Sequence, residues 1–364
     1  MEDRWMKAAA LLFASVLLFG GNARAEAPPG RSIGYAFYFI DYGLYQTEDT
    51  KEECPNGLVK EGPREQFKAL YPEGAKRTVV DTQLAFESDV WFPKAKPDQF
   101  AFPEAAGAKA IGLDLDGKTK PGDFTSPEGK LGVDNELFRV IGCIGHYRTG
   151  GSLQHIGMTF LQKNIIDRLL IELTDVDSLV NDDDVTLTTY HGLNALMNDA
   201  TGENFYPGGT QAIDLRWGKE YIHSAHAKIV DGVLITEPMD FVYPTELAYE
   251  DTSLDVVRNA RVEMKLTPER AEAVIAGYFD VETFYRNRAR QWGTLHHNYG
   301  QQALASVYRQ LRKHADAYPD AKTGQNTAIS GSYVGKLVQV HILHPEKSVS
   351  ELAVAPRQSA DAAK

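Results

Sequence analysis

The sequence predicts an α+β chain that is mainly β: an antiparallel β-sandwich or jelly-roll-like domain over residues 26–266, a helical region with a closing strand over 267–345, and a flexible tail over 346–364. Three observations lead there. Apolar and polar residues alternate in several runs, which puts one set of side chains on one face of a strand. Turn residues separate these runs at the spacing of an all-β architecture. After Leu266 the apolar period changes from two to three and four, the signature of a helix.

Residues 1–25 precede the fold. Arg4 and Lys7 lead an apolar run from Ala8 to Phe19, Gly20-Gly21 break it, and Ala23-Arg24-Ala25 offers small residues for cleavage after Ala25. This is the layout of a secretory signal peptide. The run is shorter than the roughly 20 apolar residues that span a bilayer. The expected location is therefore periplasmic or secreted, with the membrane met only through this segment before cleavage.

The strands follow in order. Ile33, Tyr35, Phe37 and Phe39 alternate with Gly34, Ala36, Tyr38 and Ile40. Residues 45–130 are rich in Pro, Gly, Lys and Asp, with apolar islands at Ala85-Phe86 and Val90-Trp91-Phe92, and read as loops and short strands. Asp167 to Asp175 alternates, with Leu169, Ile171 and Leu173 on one side, and Val185 to Tyr190 alternates again. The acidic stretch Asp177 to Asp184 joins them as an antiparallel pair. Ala212 to Trp217 is a further run. Tyr221–Val230 and Val233–Thr236 flank Asp231-Gly232, a strong hairpin signal. Arg261 to Leu266 closes the series.

Thr267-Pro268-Glu269 has the composition of a helix start, with Ala271, Val274, Ile275 and Tyr278 on one helical face. A second helix is expected over 281–292. A third, over 301–317, aligns Leu304, Val307, Tyr308 and Leu311 and ends at Pro319-Asp320. Leu337 to Ile342 alternates and returns to the sheet.

The composition is that of a globular protein, 43% hydrophobic and 24% charged, so a sizeable core is available. The net charge of −12 becomes about −13 once residues 1–25 are removed. Such a surface repels phosphate backbones, which excludes nucleic acid as a partner, and attracts cations. The two cysteines, Cys54 and Cys143, are expected to form one disulfide in an oxidising compartment. No CxxC motif exists for redox or haem chemistry.

The most legible constellation is Gly112-Leu-Asp114-Leu-Asp116-Gly117, continuing to Asp123 and then to Asp134-Asn135. Calcium takes six to eight hard oxygens, and carboxylates two apart around a glycine turn supply them. The DxDG core resembles fragments of dockerin-type and thrombospondin-type calcium loops. It lacks the third acid and the closing Glu of an EF-hand, and Lys118 and Lys120 oppose a dense cation site. The segment reads either as a calcium site built from Asp114, Asp116, Asp123, Asp134 and Asn135, or as Asx turns whose carboxylates bond their own backbone. A second acidic cluster, Asp175, Asp177, Asn181 and Asp182 to Asp184, reads either as a solvated loop or as a cation site whose ion would relieve the repulsion of three consecutive acids.

Among the histidines, His223 and His226 are three apart in a strand and point to opposite faces. His296-His297 sit between two expected helices and form an alternative metal site, with Asp280 or Glu282 nearby. HExxH, GxSxG, Walker A and GxGxxG are all absent. Trp91, Trp217, Tyr190, Tyr206 and Trp292 are candidate sugar platforms as well as core residues. The reading that follows is an exported, calcium-stabilised binding module of the cell envelope whose partner is a glycan or an envelope protein, with no catalytic residue assigned. Two alternatives stay open: an exported metal-dependent hydrolase at His296/His297, and a structural subunit of an envelope complex.

Overall fold

Eight antiparallel strands close on themselves into a barrel. The computed structural model describes residues 31–58, 102–151, 154, 168–245, 253–290 and 304–345. In chain order the strands are β1 (Arg31–Tyr42), β2 (Leu169–Val176), β3 (Asp182–His191), β4 (Gly209–Ala212), β5 (His223–Val230), β6 (Val233–Thr236), β7 (Met239–Thr245), β8 (Ser253–Leu266), β9 (Arg270–Asp280), β10 (Ala317–Pro319) and β11 (Asn326–Leu343). The helices are α1 (Glu136–Ile141), α2 (Val281–Arg290) and α3 (Leu304–His314). The wall runs β1-β2-β3-β5-β6-β8-β9-β11, and β11 pairs back onto β1 from Gly34↔Val340 to Tyr42↔Tyr333.

This corrects the expected sandwich with a helical C-terminal region. Period-two alternation is the same in a sandwich and in a barrel. What distinguishes them is the closing pair, formed by segments about 300 residues apart. The second correction concerns residues 270–280, which form β9 and not a helix. Thr267 is not a helix cap but part of a tight hairpin turn: its Oγ1 donates to the Arg270 carbonyl (2.8 Å) and accepts from the Arg270 N–H (2.9 Å). Ala271, Ala273, Ile275, Gly277 and Phe279 satisfy a period of two as well as any helical period. Ladders to β8 on one side and β11 on the other settle the choice. The helices expected over 281–292 and 301–317 are present as α2 and α3, and the run at 337–342 belongs to the much longer β11.

Side chains alternate across the wall. In β5, Ala225, Ala227 and Ile229 are buried while Ser224, His226 and Lys228 are exposed. In β9, Ala271, Ala273 and Ile275 face inward and Arg270 and Glu272 outward. Tyr35, Phe37, Ile171, Leu187, Leu234, Val262, Met264 and Leu337 fill the interior. On β5 and at the start of β9 the outward residues are mostly polar or charged and the inward ones apolar, the reverse of the alternation of a lipid-facing strand. No helix among the described residues is long and apolar enough to cross a membrane.

Two additions cover the wall. Outside β1, β2 and β11, Leu196 and Phe205 pack on Ala36, Leu170, Val338 and Val340, and β4 adds to β11 in parallel. At the end of the barrel near Tyr42 and Asp280, the three helices pack together and against β8 and β11. Asp280 starts α2 by accepting from the Thr283 N–H (3.0 Å). The Cys54–Cys143 disulfide ties the segment after β1 to the end of α1, as expected. Residues 1–25, the tail over 346–364, Ala85-Phe86, Val90 to Phe92, His296-His297 and Trp292 lie outside the described residues.

Candidate functional site

The loop over 108–135 lies on the outer wall and is held by backbone bridges at Lys109↔Thr125, Leu113↔Asp134 and Phe124↔Val133. Its acids first build their own turns. The Gly117 N–H donates to Asp114 Oδ1 (2.7 Å), the Lys118 N–H to Asp116 Oδ1 (2.9 Å), and the Leu115 N–H to Asp134 Oδ2 (2.8 Å). Gly132 has φ +78°, and a Cβ there would lie 3.1 Å from the Lys118 carbonyl and 3.4 Å from Asp114 Oδ2. A side chain here would be strained by the left-handed backbone and would crowd the Lys118 carbonyl and Asp114, so glycine favours this close approach of the loop to the acids.

Folding brings Asp114, Asp116 and Asp134 together, with one carboxylate oxygen of each within 4.8 Å of the others, all three half-buried. Asp116, Asp134 and Asp123 line a cavity of about 270 Å³ together with Lys120, Arg139, Glu136, Tyr278 and Asp316, whereas Asp114 is not on its lining. Burial pushes the Asp134 carboxyl up to about 6, the Leu115 N–H opposes it, and the charges of Asp116, Asp123 and Asp316 add smaller upward contributions. The Lys120 ammonium sits on Asp116 Oδ2 and holds that carboxyl below its usual range. Asn135 is engaged elsewhere. Its Oδ1 caps α1 at the Phe138 N–H (3.0 Å), and its amide donates to the carbonyls of Gly43 (3.0 Å) and Ile111 (2.7 Å). Asp123 accepts from the Lys120 N–H. The donor set is all oxygen and largely anionic, which suits a hard divalent ion and not a thiophilic one.

The second acidic cluster forms turns of its own. Asp182 accepts from the backbone N–H groups of Asp177 (2.7 Å), Ser178 (3.2 Å) and Asp184 (3.2 Å), and Asn181 Oδ1 accepts from the Asp231 N–H (3.0 Å). His223 and His226 diverge: His223 Nε2 accepts from the Val242 N–H (3.1 Å), whereas His226 is exposed and 3.3 Å from Asp184. Trp217 packs on His191, Tyr190 on His344, and Tyr206 is half exposed.

Sequence reasoning missed a buried polar network at the helix-covered end of the barrel. Asp255, 1% exposed, accepts from Asn287 Nδ2 (2.7 Å) and the Tyr333 hydroxyl, and lies 3.4 Å from Arg288. The Arg288 guanidinium also covers the rings of Phe284 (5.1 Å) and Tyr42 (5.7 Å). Burial, and then the Asp255 charge, keep the Tyr333 phenol far above its usual range, so it remains a donor. Aromatic contacts extend the network from Tyr42 to Tyr147 and His146, and from Tyr333 through Tyr243 to His191. These residues come from β1, β3, β7, β8, α2 and β11, and His146 and Tyr147 from the 3-10 turn Gly145–Tyr147. No local spacing signals their meeting.

Burial pushes both His146 and His191 down to about 4, with Arg288 adding to the effect on His146. The fold holds both rings neutral, while the unfolded chain protonates them below their ordinary value of 6.5. Stability is therefore present in full above pH 6.5 and is lost as the pH falls toward 4, on the order of 3 kcal/mol per ring. Urea unfolding at pH 7 and pH 4.5 checks this. The His191→Asn variant should lose its share of the slope, and a profile as flat for the wild type as for the variant would refute the assignment.

No family model, curated protein or solved structure matches this chain. The chemistry of its residues is therefore the only guide to function.

Proposed function

We propose that the protein is an exported barrel of the cell envelope whose outer loop binds a calcium ion and whose role is binding, not catalysis. The observation that carries this reading is the convergence of Asp114, Asp116 and Asp134 within 4.8 Å. Each of Asp114 and Asp134 gives one oxygen to a backbone N–H and keeps the other for a cation. The Asp134 carboxyl is raised first by burial and to a lesser extent by the charges of Asp116, Asp123 and Asp316, and a divalent ion would offset both by neutralising the carboxylate. Carboxylates, backbone carbonyls and water suit calcium, and extracellular sites of this kind work at millimolar affinity. The leading segment and the buried disulfide support an oxidising compartment outside the cytoplasm. A glycan or an envelope protein is the partner class in keeping with that location.

Calcium at ten times its Kd should stabilise the protein by about 1.4 kcal/mol, a rise in Tm of a few degrees that EDTA reverses. Asp114→Ala and Asp134→Asn should abolish the rise. Lys120→Met, which removes the ammonium from Asp116, should enlarge it. The carboxylate must be ionised to bind, so calcium affinity should fall below pH 6, by up to about tenfold per unit. A Tm that calcium leaves unchanged in wild type and in Lys120→Met would reject the site. Export is tested separately: mass spectrometry of the natural protein should find Glu26 at its N-terminus.

A further inference from the structure

The barrel wall is split along the first half of β5. β6 and β7 follow one another along β8, β6 opposite Lys265 to Glu263 and β7 opposite Ala260 to Ser253. On this side β5 pairs with β6, from Ala227↔Thr236 to Val230↔Val233. One further bond, from the Glu237 N–H to the His226 carbonyl (2.8 Å), ends the pairing. The next residue, Pro238, has no N–H to carry a ladder on. The β8 register also shifts between Arg258 and Arg261, where Asn259 takes φ +52°, and an irregularity of this kind bends a strand. Among the described residues, no ladder joins His223–His226 of β5 to β7.

A side chain takes the place of that ladder. His223 Nε2 accepts from the Val242 N–H (3.1 Å), and the Val242 carbonyl lies 3.3 Å from the same nitrogen. The residue is fixed on both sides: its backbone pairs with Thr189 of β3, and its ring meets that of Phe241 at 5.6 Å. A ring nitrogen that accepts carries no proton, so the bond from Val242 belongs to the neutral imidazole. Protonation turns Nε2 into a donor. It can then reach only the carbonyl, and the Val242 N–H loses its acceptor. Around the ring stand Asp240 and Tyr243 on β7, His191 on β3, and Lys219, Glu220 and Tyr221 in the 3-10 turn packed beside both strands. Burial holds His223 below its ordinary value of 6.5, against smaller opposing effects of the Val242 backbone and the Asp240 charge. His191 and His223 each disfavour a proton on the other, and His191, held down to about 4, stays neutral at pH 5.

We propose that His223 is a proton-operated latch in the barrel wall: neutral, it closes β5 onto β7, and protonated, it lets this seam open to water beside His191. The closed seam lowers the affinity of the ring for a proton, and the open seam restores it. The latch therefore holds in full above pH 6.5 and weakens as the pH falls toward the value of the closed ring, about tenfold in the opening equilibrium for each unit of lowering. Amide hydrogen exchange of the whole protein, read by NMR, tests this. Met264 lies in the wall between β6 and β9 and serves as the reference that global unfolding moves. Between pH 7.5 and pH 5 the protection factor of Val242 should fall at least about threefold more than that of Met264, in step with the ring signal of His223. His223→Leu removes the acceptor, so Val242 should be poorly protected at both pH values. His223→Gln cannot titrate, and the pH slope of Val242 relative to Met264 should vanish in both variants. Val242 protection that follows Met264 across the range in the wild type, or the wild-type slope persisting in either variant, would overturn the latch.

Discussion

Asp255→Ala is expected to lower the free energy of unfolding by about 3–5 kcal/mol, among the largest effects of any single substitution in this protein. The reason is what it leaves behind. Arg288 is 3% exposed and buried against Phe284 and Tyr42, so its charge cannot return to water without moving α2. Asn287 and the Tyr333 hydroxyl lose their acceptor at the same time. A buried pair is costly to break and cheap to replace, so Asp255→Leu combined with Arg288→Met should recover most of the loss. Urea unfolding of the two single variants and the double variant forms a cycle that isolates the coupling. A loss below about 1 kcal/mol for Asp255→Ala would mean that the ion pair contributes little to holding α2 on the barrel.

The contrast between this network and the acidic loop explains which features the sequence made legible. Asp114, Asp116 and Asp134 lie within about 20 residues of one another, on a loop punctuated by glycine, and local turn chemistry is readable from local residues. The hairpin at Asp231-Gly232 and the alternating cores of β2, β3 and β5 are local in the same sense. Asp255, Arg288 and Tyr333 each look ordinary where they stand, and only closure of the barrel brings them together. Closure itself depends on β1 finding β11, a contact whose register no pattern within either strand encodes. Residues 270–280 failed for another reason. Their small and β-branched residues fit both periods, and the decision between them belongs to the neighbouring strands.

Removing the Cys54–Cys143 link should have an effect of similar size. The bridge closes a loop of 89 residues, for which the chain-entropy relation gives about 4–5 kcal/mol, and measured losses for native bridges run about 2–5 kcal/mol. Its surroundings favour the upper part of that range. Both sulfurs are buried, and the adjacent Arg148 joins Glu53 at 2.6 Å and the Gly142 carbonyl at 2.7 Å, so the bridge, the ion pair and the end of α1 form one unit. The double variant Cys54→Ala/Cys143→Ala should therefore unfold at lower urea with a larger m-value, because the denatured chain, freed of its 89-residue loop, exposes more surface. Burial adds a kinetic consequence. Dithiothreitol should leave the folded protein oxidised in buffer and reduce it in urea near the unfolding midpoint, because the thiolate must reach a sulfur that opens only with the structure. Rapid reduction in buffer would place the bridge at an exposed, locally mobile position and would remove the argument that it clamps α1 to the segment after β1.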